Sequence, residues 1–166
     1  MSLQAIKKAR NRNKPSYIYN LKGKSRFVLL CDHASNKIPK KYNNLGLPLN
    51  EIKRHIGWDI GAAKVAKKIA SRLDSVLVMS GYSRLIIDCN RPLSVYEAFI
   101  KKSENTVIPG NLYITKKEKT ERYKKYCLPY RKKIDKIINL RIKNNIVPII
   151  ISIHSFTPIY KGRSRP

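Results

Sequence analysis

Short apolar runs that stop at polar, chemistry-bearing residues constrain the fold of this chain more than any other feature. They are Arg26-Phe-Val-Leu-Leu-Cys31, Val76 to Met79, Leu85 to Ile87 and Ile149 to Ile153. Runs of this length suit buried strands covered on both faces. Between them the apolar spacing turns helical. Ile60, Ala63, Ala66, Ile69, Ala70 and Leu73 mark one helix face, and Tyr123, Tyr126, Cys127, Tyr130, Ile134, Ile137 and Ile138 mark another within 116–144. Pro129 lacks an N–H and clashes with the preceding turn, so the second stretch is expected as two helical pieces. Strands alternating with helices imply an α/β domain with a mostly parallel sheet, whose ligands gather outside the carboxyl ends of the strands.

The polar residues fall at those ends. His33 follows the first run, Asp88-Cys-Asn-Arg91 follows the third, and His154 follows the last. A parallel sheet brings these ends to one edge. Two imidazoles there suit a divalent cation such as zinc, which in catalytic sites takes three protein ligands and keeps one position open. Asp59 is a candidate third ligand, and the same residue just before a helix is equally an N-cap; both readings stand. Asn36, three residues after His33, has the spacing of a ligand pair but offers only an amide oxygen. His55 is a further option. Arg84, Asn90 and Arg91 supply a guanidinium fork and an amide that match a carboxylate, which favours an acidic substrate.

Other chemistries find no support. The chain has no phosphate loop, dinucleotide fingerprint or nucleophile elbow. A Cys31/His33 nucleophile pair is possible only if residues two apart on an extended segment face each other. Three cysteines without C-x-x-C spacing give neither a disulfide framework nor a zinc ribbon. No run reaches the roughly 18 apolar residues of a membrane span, and a cytoplasmic location is expected. The net charge of +26 points toward nucleic acid. Lys, Ile and Asn nonetheless dominate throughout, as compositional drift would produce. Eight basic residues lie within 1–26 and twelve within 116–143, so a basic nucleic-acid binder is kept as the competing reading, with 1–24 as a flexible basic arm.

Six blocks in order carry a resemblance. C-D-H-A-S-N-K-I-P (31–39), L-G-L (45–47), H-I-G-W-D-I-G-A-A (55–63), S-R-L-I-I-D-C-N-R-P (83–92), I-P-G-N (108–111) and I-H-S-F-T-P (153–158) together resemble the N-formylglutamate amidohydrolase family. The resemblance implies a metal-dependent hydrolase of amino-acid degradation on a three-layer, phosphorylase/hydrolase-like α/β fold over residues 25–166, related to zinc carboxypeptidases. It implies cleavage of N-formyl-L-glutamate, or a similar small acidic N-acyl amino acid, to glutamate and formate. The metal set would be His33, His154 and Asp59 or Asn36. Asp59 and His55 would serve catalysis, and Arg84, Asn90, Arg91, Ser155 and Thr157 would hold substrate. Asn36 departs from the glutamate usual at its place. The resemblance also implies further strands and a glutamate base beyond the segment matching Lys161–Pro166, so that the domain is expected to be incomplete.

Overall fold

A computed structural model describes residues 14–160 and Arg163–Ser164. Its centre is a four-stranded sheet in the order β1 (Ser16–Tyr19), β3 (Val76–Ser80), β2 (Phe27–Cys31), β6 (Ile149–Ser152). β2 runs parallel to both β3 and β6, while β1 is antiparallel to β3. β1 lies within the segment expected as a loose basic arm. The pairing of Ser16–Tyr19 with Leu77–Ser80 makes that part of the arm an edge strand, and residues 1–13 lie outside the described set.

Alternation along the central strands explains why they are apolar on both sides. Val28, Val76 and Val78 enter one core with Tyr126, Cys127, Tyr130 and Ile137. Leu29, Cys31, Leu77 and Met79 enter a second core with Ala62, Ala66 and Ala70. The first face is covered by α5 (Leu128–Lys143) and the second by α2 (Ala62–Arg72), so the sheet is the middle of three layers. Alanines on the inward face of α2 let its backbone approach the sheet closely. Two short helices precede α5 on the first side, α3 (Pro109–Leu112) and α4 (Lys116–Arg122); α1 (Leu49–Lys53) and the hairpin β4 (Lys102–Ser103) to β5 (Thr106–Val107) stand beside the carboxyl edge. β7 (Ile159–Tyr160) pairs with β8 (Arg163–Ser164) in a separate hairpin.

Two expectations change. Leu85–Ile87 is a buried turn, not a strand. Its backbone is satisfied by side chains instead of a ladder: Asn111 Nδ2 donates to Leu85 O at 2.9 Å, and Arg122 Nη1 donates to Ile86 O at 3.3 Å. The helical run does not break at Pro129. A π-helical turn over Tyr123–Cys127 joins α4 to α5, with Leu128 N–H reaching Tyr123 O, and Pro129 falls in the first turn of α5 where its missing N–H is not needed.

The best-buried charge among the described residues fixes α4. Arg122 is 1% exposed and donates to Asn111 Oδ1 (2.6 Å), Gly110 O (3.0 Å) and Glu118 Oε1 (2.7 Å), with its guanidinium 4.6 Å from the Tyr42 ring centroid. Because Asn111 also donates to Ile100 O, this one arginine ties the I-P-G-N turn and the 85–87 turn to the same helix. Other basic residues of the 116–143 stretch act similarly. Arg131 donates to Cys89 O and Arg91 O, Lys133 to Ser16 O, and Arg141 to Gly23 O. Part of the charge that suggested a nucleic-acid surface therefore clamps backbone carbonyls inside the domain.

Candidate metal centre and its cavity

The first strand delivers His33 two residues past β2, and the last delivers His154 two residues past β6. Their ring centroids lie 5.1 Å apart. Asp59 reaches the same point from the loop before α2, where Asp59 N–H donates to His33 O at 3.0 Å. Two glycines of the H-I-G-W-D-I-G block shape that loop. Gly61 has φ +83, open to glycine at no steric cost. A Cβ on Gly57 would stand 2.6 Å from Ile52 O, so only glycine fits. The Asp59 side chain does not cap α2. Its carboxylate turns to the histidines, with Oδ1 3.3 Å from His33 Nδ1 and Oδ2 2.8 Å from His154 Nδ1.

Each imidazole is held from behind. Asp88 Oδ1 stands 2.8 Å from His33 Nε2, and a carboxylate accepts only, so Nε2 carries the proton. Asp88 is fixed in turn by Arg84 Nη2 at 2.8 Å and Asn90 N–H at 2.9 Å. At His154, Ser152 Oγ donates to Asp32 Oδ2 at 2.9 Å and lies 3.1 Å from Nε2, which therefore donates to the hydroxyl. Both rings then turn an Nδ1 lone pair toward Asp59. Acceptors facing acceptors at such distances require a proton or a cation between them.

His33 Nδ1 carries the clearest mark of that requirement, being buried without a hydrogen-bond partner. One ligand atom from each of His33, Asp59 and His154 lies within 4.8 Å of the others. Two imidazole nitrogens and a carboxylate, with the rings oriented by outer carboxylates, are the donor set that zinc and similar divalent ions take. The residues fit such an ion. Burial disfavours charge on His33, yet the carboxylates of Asp59 and Asp88 on either side of the ring outweigh it and raise its pKa. Burial likewise opposes ionisation of Asp59 and Asp88, and their histidine partners overcome it, so both carboxyls sit below their ordinary range.

A cavity of about 510 Å³ opens over these atoms. His55, Asn90, Arg91, Ser155, Phe156 and Thr157 line it together with Arg84 and the cluster. Every expected site residue except Asn36 is thus brought together; Asn36 neither lines the cavity nor joins the three ligand atoms. Arg84 is engaged by Asp88, whereas the guanidinium of Arg91 has no hydrogen bond or ion pair among the described residues. Asp88 aims His33, and Arg131 places Arg91 through its carbonyl. Burial, reinforced by Asp32 and Asp59, pushes the Cys31 thiol up to about 12, which removes it as a nucleophile.

A family model described as N-formylglutamate amidohydrolase matches residues 25–166. The chain belongs to that family. Among solved structures, the crystal structure of a gene product from Agrobacterium tumefaciens aligns with a TM-score of 0.91 at 36% identity, covering 94% of this chain. This chain spans 62% of the length of that one. No curated protein matches the sequence. The three ligand atoms of His33, Asp59 and His154 lie at the carboxyl edge of the sheet within the region that the family model matches. No helix among the described residues is long and apolar enough to cross a membrane.

Asp32, Ser152 and Glu104 were missed from sequence. Ser152 lies two residues before the histidine it supports and could have been noticed by proximity, whereas Asp32 adjoins His33 but acts on His154 through Ser152. Glu104, which stands 3.1 Å from His55 Nε2, lies in a segment with no periodic signal.

Proposed function

We propose that this site hydrolyses the amide C–N bond of a small acidic N-acyl amino acid, N-formyl-L-glutamate foremost, releasing formate and glutamate. The observation that carries the proposal is the convergence of the buried, unpartnered His33 Nδ1 with Asp59 and His154 beneath a cavity that also exposes Arg91. His33, Asp59 and His154 would hold Zn²⁺ or a similar ion, which supplies Lewis-acid polarisation of the acyl oxygen and a water of lowered pKa. Asp88 and the Ser152–Asp32 pair keep Nε2 of each imidazole protonated and thereby keep both Nδ1 atoms available. Arg91 offers its planar fork to a substrate carboxylate, with Asn90 as the neighbouring amide. Ser155 and Thr157 line the opposite rim and complete the polar wall. The finer fold assignment, a phosphorylase/hydrolase-like domain akin to zinc carboxypeptidases, belongs to the same proposal and is supported by the three layers and the ligands at the strand ends.

The test is calorimetric titration of the chelator-treated protein with Zn²⁺, followed by assay of formate release from N-formyl-L-glutamate. One equivalent bound and formate released are expected. Absence of stoichiometric binding, or hydrolysis indifferent to chelator, would overturn the proposal.

A further inference from the structure

All three histidines of the chain line one cavity; His33 and His55 are held through Nε2 by a carboxylate, and His154 through Nε2 by Ser152 Oγ, itself bonded to Asp32. For His33 and His154 that hold serves the ligand cluster. His55 has the same hold from Glu104 but stands outside the cluster of ligand atoms. We propose that Glu104 is a positioning residue that fixes His55 with its proton on Nε2, presenting Nδ1 as the proton acceptor of the cavity. This rests on the amidohydrolase reading for its chemical purpose, though the hold itself can be tested apart from it.

The tautomer follows from chemistry. A carboxylate cannot donate, so at 3.1 Å from Glu104 Oε1 the Nε2 atom must. A neutral imidazole has one N–H, which leaves Nδ1 with its lone pair. Glu104 is itself pinned. Its Oε2 accepts from Arg54 Nη2 at 2.6 Å; Arg54 Nη1 donates to Glu51 Oε2 at 2.6 Å and to Thr106 Oγ1 at 3.0 Å; Thr106 Oγ1 donates to Glu51 Oε2 at 2.6 Å. The network spans α1 and the β4–β5 hairpin, so two elements with no role in the ligand cluster converge on one ring.

The backbone adds an independent sign. Glu104 occupies the turn between β4 and β5 at φ +53. Glycine adopts that conformation freely, whereas a residue with a Cβ is strained there. A hairpin selected only to turn would carry glycine; this one carries the side chain that reaches His55. Neither residue is needed to complete the apolar core, since neither belongs to it.

The experiment compares the full chain with E104A and E104Q, using long-range ¹H–¹⁵N spectra of the imidazoles and, in parallel, formate release by Zn²⁺-loaded protein. In the parent, His55 should show the Nε2–H tautomer. E104A should lose that preference, with kcat falling about a hundredfold, the scale of proton-transfer assistance, and KM within about twofold. E104Q keeps one acceptor oxygen for the two donors His55 Nε2 and Arg54 Nη2, so it should restore the tautomer and kcat only in part. An unchanged His55 tautomer in E104A would overturn the proposal, as would an unchanged kcat alongside a shifted tautomer. A fall in kcat matched by an equal loss of Zn²⁺ binding would also overturn it, because the residue would then act on the cluster and not on His55. If the parent releases no formate, the substrate reading fails by itself, and the tautomer comparison still decides the hold.

Discussion

Asp88→Asn tests the site where outer support and ligand geometry meet. The side chain is almost fully buried and nearly isosteric with the asparagine, so the core should keep its packing. Three bonds converge on the carboxylate: His33 Nε2 at 2.8 Å, Asn90 N–H at 2.9 Å and Arg84 Nη2 at 2.8 Å. An amide can still accept at Oδ1 from His33 and Asn90. At the other position its NH₂ faces the guanidinium donor to donor, and the charge that draws both His33 and Arg84 is gone. Loss of an outer partner of a metal-binding histidine costs about 10 to 100-fold in affinity, or about 1.4 to 2.7 kcal/mol. Zn²⁺ affinity of D88N should fall by that factor in calorimetry near pH 7. Folding stability should fall as well, by roughly 2 kcal/mol for a lost charge-assisted bond. The sign with pH is set by the depressed pKa of Asp88. Its contribution is complete above the ordinary carboxylate range and is lost as pH falls through the lower folded value. The stability gap between parent and variant should therefore be widest near neutrality and close in acid. Zn²⁺ affinity of D88N within about twofold of the parent, or a stability gap that does not narrow in acid, would refute the reasoning.

Other substitutions and conditions separate structure from chemistry. Arg122→Lys keeps the charge but loses the fork shared by Asn111, Gly110 and Glu118 and should lower stability in urea by about 1 to 3 kcal/mol, the scale for leaving a buried acceptor unsatisfied, while Zn²⁺ stoichiometry is retained. Arg91→Lys should raise KM about tenfold with kcat nearly unchanged, because the charge persists and the planar fork does not; steady-state kinetics of formate release decides this. Zn²⁺ at 100 times its Kd should stabilise the parent by about 2.7 kcal/mol in denaturant melts and leave His154→Ala unaffected. Zn²⁺ affinity should weaken as pH falls, because the raised pKa of His33 means that a proton competes for Nδ1 from a higher pH than at a free imidazole; isothermal titrations between pH 8 and 5.5 would follow it.

The sheet was legible because its strands are short and apolar on both faces, and the helix over 62–72 because alanines and isoleucines recur every three or four residues. Leu85–Ile87 misled for a physical reason. Its side chains are as buried as those of a strand, but its carbonyls are satisfied by Asn111 and Arg122 from distant segments, which no local pattern announces. β1 was hidden by its basic surroundings, since an edge strand of four residues needs only one apolar neighbour. At the site, the strand-end rule located His33 and His154, while Asp59 before the helix was readable equally as ligand or N-cap, and its carboxylate turns to the histidines. The partners of these residues were not legible. Asp88 and Glu104 act on rings 55 and 49 positions away, and only the fold sets such distances.

β6 forms the end of the central sheet, pairing with β2 on one side and with nothing on the other among the described residues, and Ile149 and Ile150 are exposed. His154 and Ser152 hang from this strand, whereas His33 follows the central strand β2. The lifetime of the three-residue cluster is thus governed by local opening of β6, an event that costs less free energy than unfolding the whole domain. Backbone hydrogen exchange would register it directly. The amide of Ile149, bonded to Arg26 O, and that of Ile153, bonded to Leu30 O, should exchange well before those of β3. Zn²⁺ tying His154 to His33 and Asp59 would staple the strand to the interior and slow the exchange of those two protons.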